Sequence, residues 1–112
     1  MSENRINAYH VMWLFVFFDL PVMTKKERKD ATQFRKSLEK DGFSMMQYSV
    51  YVRHCPSKEN MSVHIKRVQF ALPNNGLVSI LSVTDKQFSD IKNFYGKAEK
   101  VTLAAPQQLE LF

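Results

Sequence analysis

Asp19 is the residue best placed by its surroundings to do chemistry. It directly follows Val11 to Phe18, an unbroken apolar run, and a carboxylate at the end of a buried strand stands on a rigid base. Its oxygens would suit a hard cation such as Mg2+. A turn role explains the same position, because an aspartate before Leu20-Pro21 suits the end of a strand. One carboxylate is a weak metal site. A two-fold axis that brings a second Asp19 makes a stronger one.

The second feature is cationic. Lys25, Lys26, Arg28, Lys29, Arg35, Lys36 and Lys40 fall in one segment against Glu27, Asp30 and Glu39. Such a run is either a solvated helix surface or a set of phosphate contacts, which need mobile cations rather than a fixed motif. Arg53, Lys58, Lys66 and Arg67 add charge elsewhere. No aromatic is obviously interleaved with these cations, which favours contact with a duplex backbone over stacking on single strands. The chain as a whole carries a formal charge of +5, so a polyanionic partner is expected.

Other chemistries are excluded. Cys55 is the only cysteine, so no disulfide forms within the chain, no zinc finger can be built, and a reducing compartment is expected. His10, His54 and His64 match no metal-ligand spacing. His54 and Cys55 are neighbours on a strand and point to opposite faces, so they cannot pair. His64 lies off the apolar stripe of its helix and is expected in solvent. No P-loop, dinucleotide fingerprint or serine elbow is present. The run Val11–Phe18 is far shorter than the roughly 20 residues of a membrane span, and the N-terminus lacks the features of a signal peptide. The expectation is a cytoplasmic protein without a membrane partner.

The elements that would position these residues can be read in order. At 112 residues and 45% hydrophobic, the chain fits one folded domain over 1–112, with 1–9 as a mobile arm and 106–112 as a tail. Val11–Phe18 does not alternate, which predicts a central strand covered on both faces. Thr24 and Glu27 form a capping box, opening a helix to about Asp41 with Ala31, Phe34 and Leu38 on one face and Gly42 closing it. Phe43–His54 has strand character, with a bend or a bulge at Gln47-Tyr48-Ser49. Met61, Ile65, Val68 and Leu72 make a helical stripe. Leu77–Val83 reads as a strand. Thr84 and Gln87 form a second capping box, opening a short extra helix with Phe88, Ile91 and Phe94 inward and Gly96 at its end. Lys97–Ala104 is a possible last strand. The resulting fold class is α+β with the ferredoxin-like βαββαβ order. An RNA-recognition motif shares that order, but Gln47 to Arg53 does not match its aromatic signature.

The ordered set Phe18-Asp19-Leu20-Pro21, Arg28, Phe34-Arg35-Lys36-Ser37-Leu38, Gly42-Phe43 and Gln47-Tyr48-Ser49-Val50-Tyr51 resembles the CRISPR-associated protein two (Cas-two) family. It looks most like the branch found beside single-protein RNA-guided nucleases. The resemblance implies a ferredoxin-like homodimer at the centre of the spacer-acquisition complex, flanked by dimers of the CRISPR-associated integrase (Cas-one). It implies that the dimer holds double-stranded DNA while the integrase transfers strands. It also implies, in some members, a Mg2+-dependent nuclease acting on RNA or duplex DNA. The matching residue for catalysis and metal binding is Asp19, contributed by both subunits. Many members carry a basic residue just before the Gln-Tyr-Ser-Val segment. Here Ser44-Met45-Met46 stands there, which leaves paired Asp19 carboxylates with few cations to stabilise a phosphoryl transition state and favours the scaffold role.

Three readings are carried forward. The first is an adaptor for CRISPR spacer acquisition that binds duplex DNA through Lys25, Lys26, Arg28, Arg35 and Arg53. Its tail residues Leu109, Leu111 and Phe112 would add as an edge strand to a partner or simply fray. The second is a Mg2+-dependent endonuclease using paired Asp19. The third is a ferredoxin-like regulatory subunit without a nucleic-acid role.

Overall fold

A computed structural model of the protein describes residues 11–99. The expected arm 1–9, the tail 106–112 and the tail residues Leu109, Leu111 and Phe112 lie outside the described residues. So does most of the possible last strand Lys97–Ala104.

The elements run β1 (Met12–Asp19), α1 (Lys25–Lys40), β2 (Ser44–Gln47), β3 (Val50–Cys55), α2 (Lys58–Phe70), β4 (Leu77–Thr84), α3 (Asp85–Ser89), β5 (Phe94–Tyr95) and β6 (Ala98–Glu99). The first four strands form one sheet in the order β2-β3-β1-β4, with every neighbouring pair antiparallel. This is the ferredoxin-like arrangement, in which β3 is inserted between β1 and β2. The bend expected at Gln47-Tyr48-Ser49 is a tight turn at Tyr48-Ser49, and the ladder also shifts register between Met45 and Gln47.

Both faces of β1 are used, as its unbroken apolar run predicts, but unequally. Met12, Leu14, Val16 and Phe18 point to the face covered by α1 and α2, where they pack with Phe34, Leu38, Tyr51, Cys55 and Val68. Trp13 and Phe15 point to the other face and pack with Val52 and Phe88. The Trp13 and Phe88 rings stack with centroids 3.9 Å apart, and the indole N–H of Trp13 donates to Asp85 Oδ1 at 2.8 Å. Among the described residues, cover on this second face ends there. Phe17, next in the alternation, is 38% exposed.

Helix α1 follows its sequence signals closely. Both hydrogen bonds of the Thr24–Glu27 capping box form, and Ala31, Phe34 and Leu38 are its buried residues. The second capping box, Thr84–Gln87, also forms. Four local expectations are corrected. His64 is not solvated: it is 4% exposed and occupies the inward stripe with Met61, Ile65 and Val68, while Leu72 lies past the helix end and is exposed. An imidazole can be buried there because the Asp41 carboxylate meets it 2.7 Å away. Phe94 is not inward on the short helix. That helix stops at Ser89, and Phe94 starts a separate hairpin as an exposed strand residue. Gly96 consequently lies in the hairpin turn rather than at a helix end.

Candidate functional site

Asp19 is the last residue of β1 and pairs with Leu77 of β4. Side chains alternate along a strand, so Trp13, Phe15, Phe17 and Asp19 share one face. Asp19 therefore projects from the sheet face opposite α1 and α2, at its uncovered end. Paired positions in the ladder put Leu81, Ser79 and Leu77 of β4 on the same face; Leu81 and Leu77 are exposed. The strand end is fixed from beneath by the turn before β4. A Cβ at Gly76 would lie 3.0 Å from the Asp19 carbonyl oxygen and 2.7 Å from Leu20 Cδ2, so only glycine permits this close approach. The result is one exposed carboxylate on a rigid strand end, bordered by uncovered apolar side chains.

Among the described residues no three His, Cys, Asp or Glu side chains come together in a manner fit for a metal ion. Among the described residues, Asp19 therefore has no second and third side-chain donor beside it.

The five cations singled out from the sequence are not gathered into one patch. Lys25 and Lys26 sit on the exposed first turn of α1, and Lys26 pairs with Asp30 at 3.2 Å across one helical turn. Lys29 is exposed beside them; with Lys25, Lys26, Asp30 and Gln33 it lines an open surface depression. Arg28 turns back on the chain, its Nη1 donating to the carbonyls of Val22 at 3.0 Å and Met23 at 3.1 Å. It thereby braces the loop between Asp19 and α1.

Arg35 is held by aromatics. Its guanidinium lies 3.9 Å from the Tyr48 ring centroid and 4.9 Å from that of Phe18, and its Nη1 donates to the Tyr48 carbonyl. The stack uses a planar delocalised cation, for which lysine is no substitute. Tyr51, beneath it, donates to Glu39 Oε2 at 3.3 Å. Burial pushes the Tyr51 phenol above its ordinary value, with Glu39 adding to the rise and Arg35 opposing it.

Arg53 pairs with Leu14 across the ladder, on the face covered by the helices. A Cβ at Gly42 would lie 2.0 Å from its Nη1, so the guanidinium rests against the residue that closes α1. Its Nε is buried without a hydrogen-bond partner among the described residues. Cys55, also on this face, is fully buried, and burial raises its thiol pKa, with Asp41 adding to the rise and Arg53 opposing it. A protonated buried thiol is a poor nucleophile. His54 is exposed and on the opposite face, edge-on to Trp13 at 5.1 Å between centroids. The two neighbours are thus kept apart, as their strand positions require.

Two features escaped the sequence reading. One is the Asp41–His64–Arg67 cluster that joins the helices. The signal was available in the i, i+3, i+4, i+7 spacing of Met61, His64, Ile65 and Val68, with a polar residue in an apolar slot. The other is a basic segment with interleaved aromatics, Lys92-Asn93-Phe94-Tyr95-Gly96-Lys97, hidden by assigning Phe94 to a helix.

Comparison with known proteins agrees with this fold. Residues 12–91 match the family described as CRISPR associated protein Cas2. The chain is 52% identical over 109 residues to a protein of Flavobacterium psychrophilum named CRISPR-associated endoribonuclease Cas2, covering 97% of this chain and 95% of that one. A protein of the same name from Parvibaculum lavamentivorans is 52% identical over 101 residues, 90% of this chain and all of its own. Another from Paracidovorax avenae is 44% identical over 107 residues, 96% and 99% of the two chains.

Proposed function

Because the chain belongs to the CRISPR-associated Cas2 family, we propose that it acts in CRISPR spacer acquisition as a homodimer. In this reading the dimer binds double-stranded DNA through its backbone and bridges subunits of the CRISPR-associated integrase. The observation that carries it is the uncovered end of the second sheet face. Phe17, Leu77 and Leu81 are apolar and exposed there around a regular, rigid strand end. A second copy facing it would bury these side chains symmetrically. Pairing doubles a chain charge of +5 on one body, and holding a duplex by its phosphates needs cations on a rigid surface rather than base-reading groups. Lys25 and Lys29 at the start of α1 are the cations most available for that contact, since Arg28 and Arg35 already serve the protein's own backbone and rings. Tail residues Leu109, Leu111 and Phe112 are proposed for the partner contact.

A second reading is favoured by the names of the relatives, which call those proteins endoribonucleases. The same facing of two copies would bring two Asp19 carboxylates together from strand ends on the open face. These would be the residues to hold Mg2+, an ion able to neutralise charge on a phosphodiester.

Titration of a blunt duplex at several salt concentrations tests the first reading. Binding should weaken steeply with salt and show little sequence preference. Lys25→Glu/Lys29→Glu should weaken it about uniformly and lower the salt slope by about two for each protomer in contact with the duplex. A wild-type protein that binds no duplex at low salt overturns this reading. Asp19→Asn tests the second: Mg2+-dependent cleavage of RNA or duplex DNA should vanish while the dimer persists. A wild type with no cleavage in Mg2+ or Mn2+ removes that reading alone.

A further inference from the structure

We propose that the β5–β6 hairpin is a binding element for unpaired nucleotides, its two outward rings stacking on bases and its flanking lysines meeting phosphates. This builds on the nucleic-acid reading above and adds to it a ligand class that the cations of α1 do not address.

The hairpin is short, pairing Phe94 with Glu99 and Tyr95 with Ala98 around the turn Gly96-Lys97. Phe94 is 62% exposed and Tyr95 83% exposed. Successive strand residues point to opposite faces, so the ribbon carries one open ring on each side. Lys92 precedes the hairpin and Lys97 sits in its turn, both exposed. Rings that served a protein pocket would be expected among further apolar side chains. Here their sequence neighbours are Asn93, Gly96 and two lysines. A base offers a π-face to each ring and its phosphate offers an anion to each lysine, and such stacking tolerates any sequence.

The placement is also independent of the duplex contacts proposed above. The hairpin follows α3 and Ile91, which pack against the Trp13–Phe15 face, whereas α1 packs against the other. Variants of the hairpin can therefore be separated from variants of α1.

The experiment compares three probes by fluorescence anisotropy at one salt concentration: a blunt duplex, the same duplex with short thymidine overhangs, and an oligothymidine. Wild type should bind the overhung duplex at least about tenfold more tightly than the blunt one, since even one stacked ring contributes about that much. Phe94→Ala/Tyr95→Ala should erase the gain and leave blunt-duplex affinity unchanged, with circular dichroism showing the fold intact. Tyr95→Phe, which keeps a ring, should retain the gain. Equal wild-type affinity for blunt and overhung duplexes overturns the proposal, as does a gain that survives the double variant. So does a double variant that loses dimerisation instead, because the rings would then be a protein contact. Blunt-duplex binding without an overhang gain defeats this proposal and spares the duplex reading. Oligothymidine binding that depends on the rings, without blunt-duplex binding, does the reverse.

Discussion

His64 Nδ1 lies 2.7 Å from Asp41 Oδ2, joining a buried imidazole on α2 to the residue that caps the C-terminus of α1. A carboxylate accepts but cannot donate, so the hydrogen between them belongs to His64 Nδ1. Asp41 Oδ1 accepts from Arg67 Nη1 at 2.8 Å. A negative charge at a helix C-terminus is unfavourable by itself, and these two donors from α2 offset it. His64→Ala should therefore cost about 2–4 kcal/mol, combining a lost hydrogen bond with a buried cavity. Urea denaturation would measure it, and a cost below the scatter of surface variants would show that the pair does not hold the helices.

The same cluster sets a pH dependence. Burial pushes the Asp41 carboxyl up, but hydrogen bonds and charge from His64 and Arg67 outweigh it, leaving the group below its ordinary 3.8. A carboxyl whose folded pKa is depressed stabilises the fold above its unfolded pKa. That contribution is lost as pH falls through the folded value. Stability should drop as pH falls below about 4, and Asp41→Asn should flatten that part of the curve while lowering stability near neutrality. Parallel wild-type and variant curves would contradict this.

Trp13 is anchored at its edge by Asp85 at 2.8 Å. Asp85→Ala should leave the indole N–H with no protein partner and cost about 1–3 kcal/mol, with Asp85→Asn keeping most of the stability. The readout is chemical denaturation followed by the emission of Trp13, the only tryptophan in the chain.

Gly42 adopts φ +89, in the left-handed region, with Arg53 packed where a Cβ would stand. Gly42→Ala should cost about 1–3 kcal/mol in backbone strain and displace a guanidinium. Gly42→Ala combined with Arg53→Ala should recover the steric part only. Denaturation of the single and double variants, arranged as a cycle, separates the two contributions.

Phe17 tests the open face. Phe17→Glu should leave the helical packing on the opposite face untouched and shift the protein to monomer in sedimentation or light scattering. A dimer that survives this charge would place the interface elsewhere.

The sequence by itself determined the elements from β1 through the start of α3, but not the β5–β6 hairpin. An apolar run without alternation makes β1 central, two capping boxes start helices where the structure starts them, and Ala31, Phe34 and Leu38 face inward. These signals are local: they depend on spacing, on hydrogen bonds within a turn and on which residues avoid water. Tertiary structure alone decided what each polar group meets. Arg28, Arg35 and Arg53 read identically as mobile cations in the chain, yet one braces a loop, one stacks on Tyr48 and Phe18, and one rests on Gly42. His64 is buried because Asp41 arrives from another helix. Phe94 is exposed because α3 stops five residues earlier, at Ser89. Partners distant in sequence set the energy of a charge or a ring, and no periodicity along one segment encodes where those partners will stand.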